Sequence, residues 1–385
     1  MVVFPFALIL LACAEQPPPP PPVEAPVAEA PTGPPGMAIA VSVPLTGPSA
    51  ALGRAALDGV RLAVPPGLQV VAIDEQVGDP VPQVVGDTRI VGVVAHVTEV
   101  GAERWAAGWA GTDLAVVMAA PATVEGVPRV LAGADRHVQC ASAFLGRGRA
   151  LIVHDGSSES THVSNAAERE LYNRSQGIRV IDPRLMANEA DRVRSTGADW
   201  IVYTGSPGNG GNLLRALRQL GGDAQFLGIG LYDPRFVAAA GEPGEGAIVT
   251  SQDRPAIDEA VVARWRKEYD GEPPAVALNA YDAARLLVES WATASVPSRE
   301  ALRGAIKARL REVEIQGAAG PMHLDAEGVA EPAWCTAFRV EDGGLAFHGV
   351  ARVVGGKVET VDLEAERAAR QAALEAAHPQ PVPAP

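Results

Sequence analysis

The stretch AIAVSVPLTGPSAALGRAALDGVRLAV, residues 38–64, decides the fold of this 385-residue chain. Its first six residues follow the pattern of a buried strand, and apolar residues then recur at helical spacing. A Gly-Pro-Ser turn joins the two elements, and Ser49 is expected to cap the first turn of the helix. Free backbone N–H groups beside the Thr46 and Ser49 hydroxyls would accept an anionic or carbonyl group. The stretch therefore predicts a strand-turn-helix unit whose turn either contacts a small molecule or is an ordinary structural turn.

An apolar run from Val2 to Ala12 leads into the sequence LLAC, which ends at Cys13. The run is uncharged and too short to span a bilayer as a helix, so residues 1–13 are predicted to be an export signal. LLAC resembles the lipobox of bacterial lipoproteins, in which the cysteine is lipidated. A plain secretory signal and a buried strand are the alternatives. We therefore expect a periplasmic, membrane-anchored lipoprotein.

Proline-rich segments lie at both ends of the chain. Residues 14–36 favour an extended tether that spaces the body from the membrane, and residues 379–385 form a similar tail. The roughly 340 residues between them are too many for one ordinary core and predict two lobes.

The composition excludes several classes of function. A net charge of −14, without basic stripes or interleaved aromatic residues, argues against nucleic-acid binding. The sequence has no nucleophile elbow, dinucleotide fingerprint, P-loop or HExxH motif, and its seven His are not at metal-ligand spacing. We therefore expect no enzyme activity, no cofactor and no metal, and we interpret His96, at a strand end, as a residue that orders its loop.

Predicted strands and helices alternate along the body, which indicates βαβ units, mainly parallel sheets and ligands at the carboxyl ends of the strands. Besides the strand of the first stretch, strands are predicted at 69–73, 90–94, 115–118, 150–153, 178–181, 200–203, 226–228 and 246–250. Helices are predicted at 102–110, 164–176, 189–196 and 211–220. Further helices follow at 257–269, 276–294 and 299–309, with short strands from residue 323 and a last helix at 363–377 capped by Asp362.

Five stretches, in this order, carry a resemblance to a known family. They are PLTGPSAALGRAALDGVRLAV from Pro44, IVGVVAH from Ile90, WIVYTGSPGNGGNLLRALRQLGGDAQFLGIG from Trp200, AYDAARLLVES from Ala280 and GPMHLDAEGVAEP from Gly320. The chain resembles the type I periplasmic binding proteins of the leucine/isoleucine/valine-binding family, the substrate-capturing components of ABC importers. The similarity runs from about residue 37 to residue 354.

The resemblance implies an α/β fold of two Rossmann-like lobes joined by a three-crossover hinge. Lobe 1 would comprise residues 37–140 and 251–334, and lobe 2 residues 141–250 and 335–360, followed by a C-terminal helix and tail at 361–385. The protein would capture a small polar, amino acid-like molecule by hinge closure and deliver it to an ABC permease in the inner membrane. Cys140 and Cys335 would lie near two different crossovers, where a disulfide could pin the hinge; the alternative is two small buried thiols.

The same resemblance implies a ligand site with residues from both lobes. Thr98, Glu99 and Thr123 would be the contacts in lobe 1, and Ser206 and Tyr232 those in lobe 2. The chain departs from the family where a serine is expected, a position that falls on Glu99 or Val100. It departs again where an ammonium-binding acid is expected, which falls on Gly230. A standard branched-chain amino acid is therefore disfavoured.

Two other functions stay open on the sequence. A degraded pocket would suit an envelope lipoprotein that acts as an interaction or regulatory module, such as an activator of cell-wall synthases. An intact pocket would equally suit a ligand sensor that feeds a signalling receptor.

Overall fold

The computed structural model describes residues 36–120, 124–292 and 299–377. The predicted export signal, the tether up to residue 35 and the terminal tail lie outside these residues, as do Cys13 and Thr123. The described residues build two large sheets and one small sheet with helices packed around them, which confirms the predicted α/β class.

A parallel sheet with the strand order β2-β1-β3-β4 forms the core of what we call lobe 1. Every residue of its strands β1 and β3 is buried, because helices cover both faces of the sheet. Burial on both faces explains why these strands read as continuous apolar runs. The elements of this part are β1 (Ala38–Val43), α1 (Ala50–Ala63), β2 (Gln69–Asp74), α2 (Pro80–Gly86), β3 (Ile90–Ala95), α3 (Glu99–Ala110) and β4 (Ala115–Met118).

The next part of the chain builds a second parallel set of strands in the order β9-β8-β7-β5-β6, the core of lobe 2. Its elements are α4 (Ala134–Ala141), β5 (Ala150–His154), α5 (Ser158–Glu170), β6 (Ser175–Val180), α6 (Met186–Arg194), β7 (Trp200–Tyr203), α7 (Pro207–Gln219), β8 (Gln225–Gly228), α8 (Pro234–Ala240) and β9 (Ile248–Ser251). Helix α4 packs on this second sheet, whereas a lobe boundary at residue 140 would assign it to lobe 1.

One predicted helix is shifted along the chain. The pattern placed a helix at 164–176, but α5 spans Ser158–Glu170, and Gln176 lies in β6. The shift follows from the N-terminal cap, because the Ser157 hydroxyl accepts a hydrogen bond from the Ser160 N–H at 3.3 Å and so starts the helix earlier.

The chain then returns to lobe 1. Helices α9 (Glu259–Glu268), α10 (Ala275–Ala292) and α11 (Arg299–Arg309) pack on the first sheet, and β10 (Ile315–Gly317), β11 (Gly320–Leu324) and β12 (Ala330–Glu331) form a small antiparallel sheet. Helices α1 and α10 approach so closely that a Cβ at Gly59 would lie 2.0 Å from the Ala277 carbonyl oxygen. Only glycine permits this contact between two helix backbones.

The last strands extend the second sheet. Strands β13 (Ala333–Glu341), β14 (Gly344–Val354) and β15 (Lys357–Val361) add antiparallel beside β9, and α12 (Leu363–Ala377) follows. Asp362 caps α12 as predicted, since its Oδ1 accepts from the Glu364 N–H at 3.0 Å. The chain thus passes between the two sheets three times: between β4 and α4, between β9 and α9, and between β12 and β13.

A buried ion pair joins the segments beside two of these crossovers. Arg254, just after β9, donates from Nε to Asp282 Oδ2 on α10 at 2.9 Å, and both side chains are buried. The other Asp282 oxygen accepts from the Ala318 N–H at 2.6 Å, and Arg254 Nη1 donates to the Pro332 carbonyl at 3.3 Å. Burial raises the pKa of Asp282 and lowers the pKa of Arg254, so desolvation outweighs the attraction for both partners.

We expect Asp282→Asn to lower the free energy of unfolding by about 3–5 kcal/mol, because Arg254 would remain buried without a counter-ion. Denaturant unfolding monitored by circular dichroism measures the change, with the exposed Asp270→Asn as the charge-matched control. The double variant Arg254→Met/Asp282→Leu should recover most of the loss, since neither charge is then buried. An Asp282→Asn protein as stable as its control would contradict this account.

Candidate ligand-binding cleft

The turn after β1 is closed by a carboxylate from the neighbouring strand. Asp74, at the end of β2, accepts from the Leu45 N–H at 3.0 Å and from the Thr46 hydroxyl at 2.7 Å. Burial acts to raise the pKa of Asp74, but the hydrogen bonds from Thr46 and from backbone N–H groups outweigh it and lower the pKa. Ser49 stands at the N-cap of α1, yet its side chain makes no capping hydrogen bond, so the expected cap is wrong. The Thr46 hydroxyl predicted to face a ligand is instead occupied by Asp74.

A cleft of about 430 Å³ lies where the carboxyl ends of strands from both large sheets meet. Lobe 1 contributes apolar side chains and Asn279, lobe 2 contributes the loop after β8, and the crossover after β9 contributes polar residues. The lining includes Leu52, Val97, Ala119, Val276 and Asn279 from lobe 1, Gly230 and Tyr232 from lobe 2, and Ser251, Gln252 and Asp253 from the crossover. Two other cavities, of about 270 and 480 Å³, lie beside α11 and between α9 and α12. The cleft differs from both because the two lobes line it together.

The polar side of the cleft is a short hydrogen-bonded chain. Asn279 on α10 donates from Nδ2 to Asp253 Oδ1 at 3.3 Å, and the Ser251 hydroxyl donates to Asp253 Oδ2 at 2.5 Å. Asn279 is only 2 % exposed, and its Oδ1 has no hydrogen-bond partner among the described residues. The buried Gln252 Oε1 also has none there. Both oxygens have less than 1 Å² of accessible surface, so neither is open to a molecule in the cleft in this conformation.

An aromatic ring stands on the lobe 2 side of the cleft. Tyr232 is 47 % exposed and stacks on Phe338 of β13, with ring centroids 3.9 Å apart. The preceding Gly230 has a φ of +75°, which lets the loop turn sharply after β8. The Tyr232 ring is therefore held by Phe338 on one side while about half of its surface stays accessible.

His96 has the ordering role that its place at a strand end suggested. Its Nδ1 lies 2.7 Å from Glu75 Oε2, and the Trp109 Nε1–H donates to its Nε2 at 3.0 Å. Because Trp109 needs a lone pair on Nε2, the His96 proton sits on Nδ1 and is donated to Glu75. All three side chains are buried, so they tie the end of β3 to the segment after β2 and to α3.

Comparison with known proteins agrees with this architecture. Residues 182–344 match the family model for periplasmic binding proteins. A leucine binding protein from Thermotoga maritima is 19% identical, with a TM-score of 0.64 over 82% of this chain and 98% of that chain. A branched-chain amino acid transporter substrate binding protein from Streptococcus pneumoniae, in complex with isoleucine, is 16% identical, with a TM-score of 0.61 over 85% of this chain and 99% of that chain. The chain has the fold of a type I periplasmic binding protein.

Another solved protein of this fold, an R. palustris solute binding protein in complex with benzoate, is 16% identical, with a TM-score of 0.59 over 84% of this chain and 99% of that chain. A search of the curated proteins found no match. None of the helices in the described part of the chain is long and apolar enough to cross a bilayer. The described residues also contain no group of three or more His, Cys, Asp or Glu side chains that could hold a metal ion.

Of the site residues predicted from the resemblance to type I periplasmic binding proteins, Tyr232 lines the cleft. The Thr98 hydroxyl caps α3 by accepting from the Gly101 N–H at 3.2 Å. The Glu99 side chain and all of Thr123 lie outside what the structure describes. Ser206 is exposed and outside the cleft lining, and its N–H donates to Asp155 Oδ2 at 2.8 Å.

The sequence reasoning missed Asp253 and Asn279. A usable signal was present, because Ser251, Gln252 and Asp253 are consecutive polar residues at the carboxyl end of a predicted strand, where ligands bind in α/β folds. Asn279 is an uncharged polar residue in a mostly apolar helix. The pattern could not show that this helix passes beside the crossover.

Cys140 and Cys335 are both fully buried and unbonded, and their thiols lie within hydrogen-bonding contact. Both belong to the core of lobe 2, one on α4 and the other on β13. A bond between them would therefore link two elements of a single lobe. The sequence argument had instead placed this bond at the hinge between the lobes. The disulfide itself stays a prediction.

Proposed function

We propose that this chain is an extracytoplasmic solute-binding protein that captures a small polar molecule for an ABC importer. The observation that carries the proposal is the cleft at the strand ends of both lobes, with Ser251, Asp253 and Asn279 on one side and an accessible Tyr232 ring on the other. A molecule in this position touches both lobes, so closing the hinge would bury it.

The similar solved structures support the class of function and leave the solute open. Their titles name a leucine binding protein, a complex with isoleucine and a complex with benzoate. The fold therefore accommodates solutes of different charge, and the side chains in the cleft decide which one binds. We assign Tyr232 and Ser206 to the closing lobe, and Thr98, Glu99 and Thr123 to the lobe 1 loops that would hold the other end of the solute.

We further propose that the protein is attached to the periplasmic face of a membrane through a lipid on Cys13. The support is the LLAC sequence after an apolar run and the proline-rich segment that follows it. An anchored body on an extended tether would stay close to an ABC permease in the inner membrane.

Screening the purified protein against amino acids, amides, amines and small carboxylates should reveal at least one stabilising compound. A ligand at about 100 times its Kd raises the free energy of unfolding by about 2.7 kcal/mol, which a thermal-shift assay detects. Tyr232→Ala should weaken binding of that compound by roughly tenfold, because the closing lobe loses its aromatic contact. Tyr172→Ala, at a 78 % exposed position outside the cleft, is the matched control. The absence of any stabilising compound would contradict the solute-binding function.

Cys13→Ser should release the protein from membranes into the soluble periplasmic fraction, because the acceptor of the lipid is lost. Fractionation and immunoblotting of expressing cells measure this, with Cys140→Ser as the cysteine-matched control that stays on the membrane. Recovery of the unmutated protein in the soluble fraction would contradict the anchor.

A further inference from the structure

Helix α12 starts from lobe 2 and is bonded to lobe 1. It follows β15, the edge strand of the second sheet, and two of its arginines reach the segment before α9 and strand β10. Arg367 donates from Nε and Nη2 to the Ala256 carbonyl at 3.3 and 3.0 Å. Arg370 donates from Nη2 to Asp258 Oδ2 and from Nη1 to Gln316 Oε1 at 2.8 Å. These bonds fix one side of α12 on lobe 1.

The part of lobe 1 that receives these arginines is tied to its own lobe. The N–H groups of Ile257 and Asp258 donate to the Ala318 carbonyl, between β10 and β11, at 2.9 and 2.8 Å. Asp258 Oδ1 also accepts from the Ala260 N–H at 3.0 Å and so caps α9. A side chain that holds Asp258 therefore holds lobe 1, although this segment directly follows a crossover.

A separate set of contacts holds the start of α12 on lobe 2. Glu366 Oε1 accepts from Arg352 Nη1 at 2.9 Å, and Arg352, on β14, also donates from Nε to Glu359 of β15 at 3.2 Å. The Arg352 guanidinium lies over the Trp334 ring of β13, 5.5 Å from its centroid. Two carboxylates and an aromatic face thus keep this guanidinium in place. Helix α12 is bonded to both lobes, through different side chains.

Apolar side chains fill the seam between the lobes beneath the start of α12. Ile257 and Ala319 from lobe 1 form one buried cluster with Trp334 and Val350 from lobe 2, and Leu363 of α12 packs against it. Beyond this cluster a cavity of about 480 Å³ lies between α9 and α12. Because the two helices are not packed together there, the hold of α12 on lobe 1 depends on its two arginines.

A helix bonded to two bodies restricts their relative rotation. The 15 residues of α12 span about 22 Å, and a helix does not stretch. Any rotation that moves Arg352 away from Asp258 must therefore break the bonds at one end of α12. The side chains of Arg370 and Asp258 are only 12 and 11 % exposed, so salt screens this pair less than a surface pair.

We propose that α12 is a strap that limits the rotation of lobe 2 relative to lobe 1, with Arg367 and Arg370 as its releasable end. While both arginines are bonded, the lobes keep the angle of this structure. When they are released, α12 stays on lobe 2 through Glu366, and further interlobe angles become populated. The strap rests on the lobe rotation that the proposed function requires, and it acts whichever solute binds.

Spin labels on the two lobes measure the strap in the free protein. Full-length Cys13→Ser protein carries one label on α2 of lobe 1, through Val85→Cys, and one after α7 of lobe 2, through Leu220→Cys. Both positions are exposed, whereas the buried Cys140 and Cys335 should stay unlabelled in the folded chain. Double electron–electron resonance then gives the distribution of distances between the lobes.

The variant Arg367→Met/Arg370→Met keeps the apolar stems and removes both guanidinium groups. The population at distances outside the unmutated distribution should rise at least roughly tenfold, the change expected for the loss of one charged hydrogen bond. Hydrogen exchange of the α12 amides should become faster. The control Arg61→Met/Arg184→Met removes one exposed, ion-paired arginine from each lobe and should change neither measurement.

Melting of the free proteins reports whether each variant is folded. If the double variant does not fold, Arg367→Met alone, which keeps the pair of Arg370 with Asp258, should give a smaller change in the same direction.

Two results would overturn the strap. One is an unchanged distance distribution in a folded variant whose α12 amides exchange faster, because the helix would then be free without any effect on the lobes. The other is unchanged exchange of α12, because the arginines would then not hold it. Both results leave solute binding intact. A protein that binds no compound of the screen, but whose lobes are released in the variant, fails the solute-binding function and keeps its strap.

Discussion

The buried ion pair between Arg254 and Asp282 is the constraint on which the two-lobed arrangement depends. It joins the crossover after β9, the long helix α10, the turn before β11 and the carbonyl that precedes β13. A buried ion pair adds little to the net free energy of unfolding, because both charges lose their hydration. It does restrict the conformation, because the segments that carry Arg254 and Asp282 must lie where the two side chains can pair. Here that specificity falls on the segments where the chain passes between lobes.

The same segments supply the polar wall of the cleft. Asp253 is next to Arg254 in the sequence, and Asn279 lies one helical turn before Asp282 on α10. The crossover after β9 and helix α10 therefore each carry one residue of the buried ion pair and, close to it in the sequence, one residue that lines the cleft.

Most of the fold followed from the sequence because the strands have a strong signal. Residues 115–118 and 200–203 were predicted with the observed limits, since a strand buried on both faces is an uninterrupted apolar run. The helix predicted at 164–176 was displaced because the pattern gave no weight to the Ser157 cap. The cleft was harder to predict, because Asp253 and Asn279 are brought together only by the path of the chain between the lobes. The predicted ligand contact at Thr46 was wrong for a similar reason, since its hydroxyl donates to Asp74 of a neighbouring strand. Local patterns carry no information on such meetings.

The contact between Gly59 and Ala277 fixes how closely α1 and α10 pack in lobe 1. At Gly59 the two helix backbones touch with no side chain between them, so α1 and α10 pack more closely there than any residue with a Cβ would allow. Leu52 on α1 and Asn279 on α10 both line the cleft. The spacing of the two helices is set by a backbone contact and does not depend on side-chain rotamers. The lobe 1 wall of the cleft is therefore carried by two helices whose spacing is fixed where their backbones meet.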